Sequence, residues 1–205
     1  MTVKPVLCAR GETINYFYFD IETCPINKEK YLSKEAEERK KLLNPIDSRI
    51  IAIGIKQSGK DALILCDEDE KNMLDAFWVE LAAFRKGDPS NKIVGFNVKN
   101  FDLPFVVTRS FINEVEIVPF LLKDIVDLRE NISAFTFGHT RGKLKEFASF
   151  MGIKIVDDID GEKVAEQYWA GNIKKILEYL EKDLEITEKM NERMVALRIN
   201  EIQRW

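Results

Sequence analysis

Histidine occurs once in the 205 residues, at His139, and cysteine three times, at Cys8, Cys24 and Cys66. The three cysteines lack metal-ligand spacing, so a zinc centre of imidazole and thiolate is not indicated. A sparse, odd set of thiols also offers no disulfide framework and suits a reducing compartment, so a cytoplasmic location is expected. No run approaches eighteen consecutive apolar residues, and no transmembrane helix or membrane partner is expected. The opening MTVKPVLCARGE lacks the basic, apolar and small-residue succession of a secretory signal. Excess positive charge is missing too. With 31 Lys plus Arg against 35 Asp plus Glu the net charge is −4. That argues against a protein held on nucleic acid by bulk charge, but not against local binding where metal ions offset clustered acids. Repeats, low-complexity tracts and linkers are absent, so residues 1–205 read as one domain.

What is present is enough apolar sequence for a substantial core, 45 % of the chain. Thr13 to Asp20 reads as a buried strand from its aromatic and isoleucine content. KEKYLSKEAEERKKLL, after Pro25, reads as a charged helical excursion closed by Pro45. RIIAIGIK (49–56) and ALILC (62–66) are two further strands joined by the turn signal SGKD at 58–61, so three consecutive antiparallel strands are expected. Asp67 to Asp69 precede a helix whose apolar face is Met73, Leu74, Phe77, Trp78 and Leu81. KIVGFN (92–97) is a fourth strand, FDLPFVVTRSFINEV a helix with Pro104 in its first turn, and IVDL (125–128) a short fifth strand. KLKEFASFMGI, GEKVAEQYWAG and residues 172–199 complete the chain as three helices, with Gly152 and Gly171 at stops. The order predicts an α/β fold, a mixed sheet of about five strands flanked by helices.

Four carboxylates stand in three places. Asp20 and Glu22, two apart on a strand, point to one face, where burial is costly unless a cation neutralises them. Asp102 enters a helix at its first turn, where its simplest role is to favour the helix dipole. Tyr179 and Asp183, four apart, share one helical face with Ile176, Leu180, Ile186 and Thr187, which puts Asp183 on the inward stripe. Each place alone has an ordinary structural explanation.

Together, FDIET (19–23), the N-x-x-x-F-D of Asn97, Phe101 and Asp102, and the Y-x-x-x-D of Tyr179 and Asp183 resemble the three motifs of the DEDD (DnaQ-like) 3′–5′ exonucleases. The similarity is to the proofreading domains of B-family DNA polymerases and their stand-alone relatives, and runs from about residue 15 to residue 190. The family's other branch has a histidine five residues before the last aspartate; Glu178 stands there, so the resemblance is to the tyrosine branch, DEDDy. It implies an RNase H-like fold and hydrolysis of single-stranded DNA from its 3′ end.

The resemblance also implies two divalent metal ions, Mg²⁺ or Mn²⁺, which suit an all-oxygen cage. Asp20 would bridge the ions, Glu22 and Asp183 would complete the site of the attacking water, and Asp102 would hold the second ion. Tyr179 would orient that water. Thr23, Asn97 and Phe101 are expected to contact the terminal nucleotide. Arg141, Lys143 and Lys145, in an acid-free HTRGKLK, either guide the phosphate backbone or form a solvated loop. Expected partners are the 3′ end of a single strand, DNA in preference to RNA, and a DNA polymerase or repair protein. RINEIQRW, with Arg198, Arg204 and Trp205, is a candidate oligomer contact. The alternatives are an exoribonuclease of the same fold and an inactive nucleic-acid-binding scaffold, although a degenerate relative usually loses an acid and all four are here.

Overall fold

The computed structural model describes residues 14–88, 90–136, 142–154 and 161–202. Five strands build one sheet: β1 (Tyr16–Pro25), β2 (Ser48–Gln57), β3 (Leu63–Leu65), β4 (Lys92–Gly95) and β5 (Ile125–Asp127). Their spatial order is β3-β2-β1-β4-β5. β1 pairs antiparallel with β2, and β2 antiparallel with β3, as the hairpin signal at Gly59 implies. β1 pairs parallel with β4, and β4 with β5, which makes the sheet mixed.

The helices are α1 (Lys28–Leu32), α2 (Ala36–Lys40), α3 (Glu70–Arg85), α4 (Asp102–Ile112), α5 (Leu128–Ile132), α6 (Leu144–Phe150), α7 (Val164–Trp169) and α8 (Ile173–Ala196). The charged excursion is two short helices rather than one, with Ser33 ending the first and its N–H bonded back to Glu29 and Tyr31. α5 is not foreseen from sequence; the Asp127 side chain caps it by accepting from Arg129 and Glu130 N–H. Gly152 and Gly171 take positive φ just past α6 and α7, the left-handed geometry that stops a helix.

The period-two pattern of β1 sorts its side chains into two layers. Phe17, Phe19 and Ile21 pack into the main core with Met73, Leu74, Phe77 and Trp78 of α3 and Phe105 and Val106 of α4. On the other face Tyr18 meets Leu184, Met190 and Met194 of α8, and Cys24 joins Ile51, Val164, Ala165 and Ile176. A buried ion pair locks the first layer. Glu70 on α3 receives both Arg109 Nε and Nη2 from α4 and the Ile50 N–H of β2, and Arg109 also donates to the Pro45 carbonyl. The second layer is registered by Asn191 of α8 donating to the Tyr18 hydroxyl at 3.0 Å.

One correction bears directly on the site. β1 does not stop at Asp20: it runs on to Pro25, so both acids sit within paired strand, Asp20 opposite Gly54 and Glu22 opposite Ala52. The register then shifts between Glu22 and Thr23, a bulge of the kind that re-aims side chains beside active sites.

Candidate active site

Asp20 and Glu22 leave β1 on the face covered by α8, where Gly54 lets the helix approach. A Cβ at Gly54 would lie 2.8 Å from Leu184 Cδ1 and 2.9 Å from Leu180 Cγ. That closeness brings Tyr179 and Asp183, one residue before each leucine, over β1. Asp102 enters from the opposite side as the first residue of α4 and accepts the Ile21 N–H at 3.1 Å. Its carboxylate therefore ties α4 to the strand between the two acids, rather than serving the amides of later turns of its own helix.

The four acids form one electrostatic unit. Glu22, Asp102 and Asp183 are buried, with 8 %, 3 % and 6 % of their surface exposed, and Asp20 is partly buried. Burial pushes the Asp20 carboxyl well above its ordinary range, and the charges of Asp102 and Asp183 push it further. Glu22 is raised by burial and then by Asp20 and Asp183, with the Lys145 ammonium opposing. Asp102 is raised by burial to about 7, against hydrogen bonds from Asp20 and from the backbone at Asp102 and Ile21. Burial, then Asp183, Glu22 and Asp20, drive the Tyr179 hydroxyl upward, so it stays protonated. Lys145 Nζ sits 3.8 Å from the centre of the Tyr179 ring, a cation–π contact on the face of the ring.

Two hollows flank this cluster and share Asp20 and Phe101. The first, about 460 Å³, has Asp20, Glu22, Thr23, Tyr179 and Asp183 together with Arg39 and Lys40 of α2 and residues 161–163. The second, about 390 Å³, has Asp20, Asn97, Asp102, Arg129 and Lys143. Each is of a size suited to a small organic ligand. Phe101 both borders the hollows and packs on Phe105 at a centroid distance of 4.9 Å, so its ring is at once cleft wall and edge of the core.

Among the described residues, no three acidic, thiol or imidazole side chains stand in a ready metal cage. The donor set nevertheless fits hard divalent cations: every donor is oxygen, and three of the carboxyls are raised by burial and by one another. Cation binding would remove that repulsion.

Asp20, Glu22, Asp102, Tyr179, Asp183, Thr23, Asn97, Phe101 and Lys143 all line one or both hollows. Arg141, His139, Cys8, Arg204 and Trp205 lie outside the described residues. Arg198 turns onto Glu201 at 2.7 Å. Cys24 is buried, with its thiol pushed up to about 12 by burial, which makes it inert.

Sequence reasoning missed Arg39, Lys40, Arg129 and Asp127. Asp127, fully buried at the end of β5, accepts backbone N–H bonds from Asn97, Lys99, Arg129 and Glu130 at 3.0–3.3 Å. It holds the turn in which Asn97 has φ 62°, and so it places the second motif. The available signal was an aspartate between a short strand and a helix-forming segment, the N-cap pattern.

The sequence profile of the RNase H superfamily matches residues 42–195. The chain belongs to that superfamily. The match contains Asp102, Tyr179 and Asp183 and begins after Asp20 and Glu22. An uncharacterized protein of Methanocaldococcus jannaschii is 35 % identical over 155 residues, covering 71 % of this chain and 85 % of the relative. The family B DNA polymerase of the hyperthermophilic archaeon Pyrobaculum calidifontis superposes on 92 % of this chain with a TM-score of 0.69 at 19 % identity. At that identity the likeness shows the fold. This chain spans 25 % of the polymerase's length. Its five-stranded mixed sheet flanked by helices is RNase H-like, and superfamily and fold together point to a nuclease.

Proposed function

We propose that the protein is a metal-dependent 3′–5′ exonuclease of the tyrosine (DEDDy) branch that releases nucleoside 5′-monophosphates from single-stranded DNA. The reading is carried by one observation: Asp20, Glu22, Asp102 and Asp183 meet Tyr179 around a cleft formed by β1, α4 and α8. Among the described residues, no other feature accounts for four carboxyls gathered against a core.

Asp20, Glu22 and Asp183 would hold one divalent ion, Mg²⁺ or Mn²⁺, and Asp20 with Asp102 the second. When bound, such ions acidify water and stabilise charge on phosphoryl oxygens. The chain's own groups supply position. Tyr179, kept protonated, is a poor base and orients the attacking water through its hydroxyl. Attack at phosphorus breaks the bond to the 3′ oxygen, which leaves on the shortened strand and takes up a proton. Thr23, Asn97 and Phe101 would receive the terminal nucleotide, while Lys143 would meet the phosphate backbone from the second hollow.

The DNA preference draws support from the N-x-x-x-F-D-x-P-F form of the second motif and from the fold shared with a DNA polymerase. We place the protein in the cytoplasm, working with a DNA polymerase or repair protein, with the C-terminal segment as its oligomer contact. Among the described residues no helix is long and apolar enough to cross a membrane.

The test uses 5′-labelled single-stranded DNA and RNA of one sequence with Mg²⁺, Mn²⁺ or EDTA. The expected result is a ladder shortening from the 3′ end, faster on DNA, abolished by EDTA and by Asp20→Ala. No ladder on either polymer sinks the nuclease reading, faster RNA trimming sinks the DNA preference, and cuts within a circular strand sink the exonuclease part.

A further inference from the structure

Three charged side chains from separate parts of the chain meet at the mouth of the cleft. Glu162, in the helical turn Gly161–Lys163, places Oε1 3.9 Å from Lys40 Nζ of α2 and 3.5 Å from Lys143 Nζ at the start of α6. Lys40 and Glu162 border the first hollow with Asp20, Glu22, Tyr179 and Asp183, and Lys143 borders the second with Asp20 and Asp102. The meeting point therefore bridges the two hollows. Its closeness to the reacting centre is fixed by the backbone, because a Cβ on Gly161 would lie 3.4 Å from the Tyr179 hydroxyl.

A stabilising role accounts poorly for this arrangement. The three side chains are 48 %, 69 % and 55 % exposed for Lys40, Lys143 and Glu162, and ion pairs so open to water contribute little to folding. Their chemistry fits another account. A carboxylate between two ammonium groups carries one negative charge and attracts both, as a phosphodiester oxygen does. Lys40 is also held by Glu37 at 2.8 Å on the same helix, which keeps its ammonium oriented when Glu162 moves away.

We propose that Lys40 and Lys143 form a seat for a backbone phosphate of the single strand, and that Glu162 fills this seat until nucleic acid displaces it. The proposal rests on the nuclease reading and adds to it a competing internal anion. Glu162 thereby weakens binding of any strand that cannot deliver a phosphate to both lysines. Lys40 belongs to the helical excursion between β1 and β2, so this excursion becomes part of the substrate path.

The seat makes a prediction of unusual sign, since removing a native ion-pair partner should tighten binding. Affinity is read by fluorescence anisotropy of a labelled oligothymidylate with Mg²⁺ in an Asp20→Asn background, which leaves the strand intact. Adding Glu162→Gln should lower Kd about three- to tenfold at low salt, because the competing charge is gone while the lysines remain. Adding Lys40→Gln and Lys143→Gln should raise Kd and reduce the log–log salt slope by about 0.7, the release expected for one lost phosphate contact on a single strand. Melting temperatures should barely move. With an otherwise native protein that degrades the strand, an unchanged or weaker Kd in Glu162→Gln overturns the seat alone, as does an unaltered salt slope in the double lysine variant. A native protein that degrades no strand overturns the nuclease reading and the seat with it.

Discussion

The two faces of β1 are built from alternate residues of one ten-residue strand, yet they have opposite characters. Phe17, Phe19 and Ile21 enter a closed hydrocarbon layer, where Phe19 meets Phe77 at a centroid distance of 5.1 Å and Phe17 meets Phe84 at 5.3 Å. Tyr18, Asp20 and Glu22 enter the layer under α8, which collects two carboxyls raised by burial and a tyrosine that stays protonated. The first face holds the backbone so that the second can keep like charges together. Folding free energy from the dry side offsets the repulsion on the wet side, so stability and activity should separate cleanly by residue parity along β1.

The largest effect expected from breaking this division is Asp20→Asn. If the proposed reading holds, loss of a carboxylate central to the acid cluster should lower turnover on single-stranded DNA on the order of a thousandfold or more. The same change removes a buried charge, so the melting temperature of the metal-free protein should rise. Paired activity and calorimetry decide the point, and a fall in melting temperature would contradict the charge-repulsion account. One residue earlier, Phe19→Ala should do the opposite. It empties a fully buried site and should destabilise the fold by about 3–5 kcal/mol in a denaturant titration. Tyr179→Phe is the intermediate case. Turnover should fall about a hundredfold through loss of an orienting hydroxyl, with the metal titration midpoint nearly unchanged. Unchanged turnover would remove Tyr179 from the mechanism.

A pH titration tests the wet face as a whole. Asp20, Glu22 and Asp102 have folded-state affinities for protons above those of unfolded carboxyls, with Asp102 at about 7. Between about pH 4 and 7 the metal-free folded chain therefore holds protons that the unfolded chain has lost, and stability falls as pH rises through that window. The metal-free melting temperature should drop by several degrees from pH 5 to pH 8. Adding Mg²⁺ or Mn²⁺ should restore it at pH 8 and do little at pH 5, where protons already neutralise the acids. Asp20→Asn should flatten the profile. A melting temperature that climbs between pH 5 and 8 without metal would mean the acids are not repelling one another.

The parts legible in the sequence are those whose signal is local. Alternation placed Asp20 and Glu22 on one face, the three-to-four-residue period put Asp183 on the inward stripe of α8, and the hairpin turn set the antiparallel strands. The extension of β1 to Pro25 was not legible, because Asp20, Glu22 and Pro25 are poor strand formers and the end of the strand is held by pairing with Arg49 and Ser48. Arg39 and Lys40 read as a wet helix surface, since nothing local reveals that α2 faces the cleft. Asp127 binds backbone groups some thirty positions away at Asn97 and Lys99, a contact that exists only once β4 and β5 pair.

Gly54 lies between the two kinds of information and gives the smallest and sharpest test. In the sequence it is one glycine inside RIIAIGIK, a weakness in a strand. In the fold it stands opposite Asp20 and beneath Leu180 and Leu184, the neighbours of Tyr179 and Asp183. A methyl group there meets Leu184 Cδ1, a side-chain end that can rotate away, but also Leu180 Cγ, which moves only with the helix or its rotamer. Gly54→Ala should therefore lift α8 by a few tenths of an ångström at a cost of about 1–3 kcal/mol. Because the displaced turn carries Tyr179 and Asp183, turnover should fall a few-fold while KM for the strand holds, since the lysines at the cleft mouth are on other elements. A change in stability with turnover intact would show that α8 absorbs the methyl by repacking its leucines, and that the spacing of β1 and α8 is not what places the last aspartate.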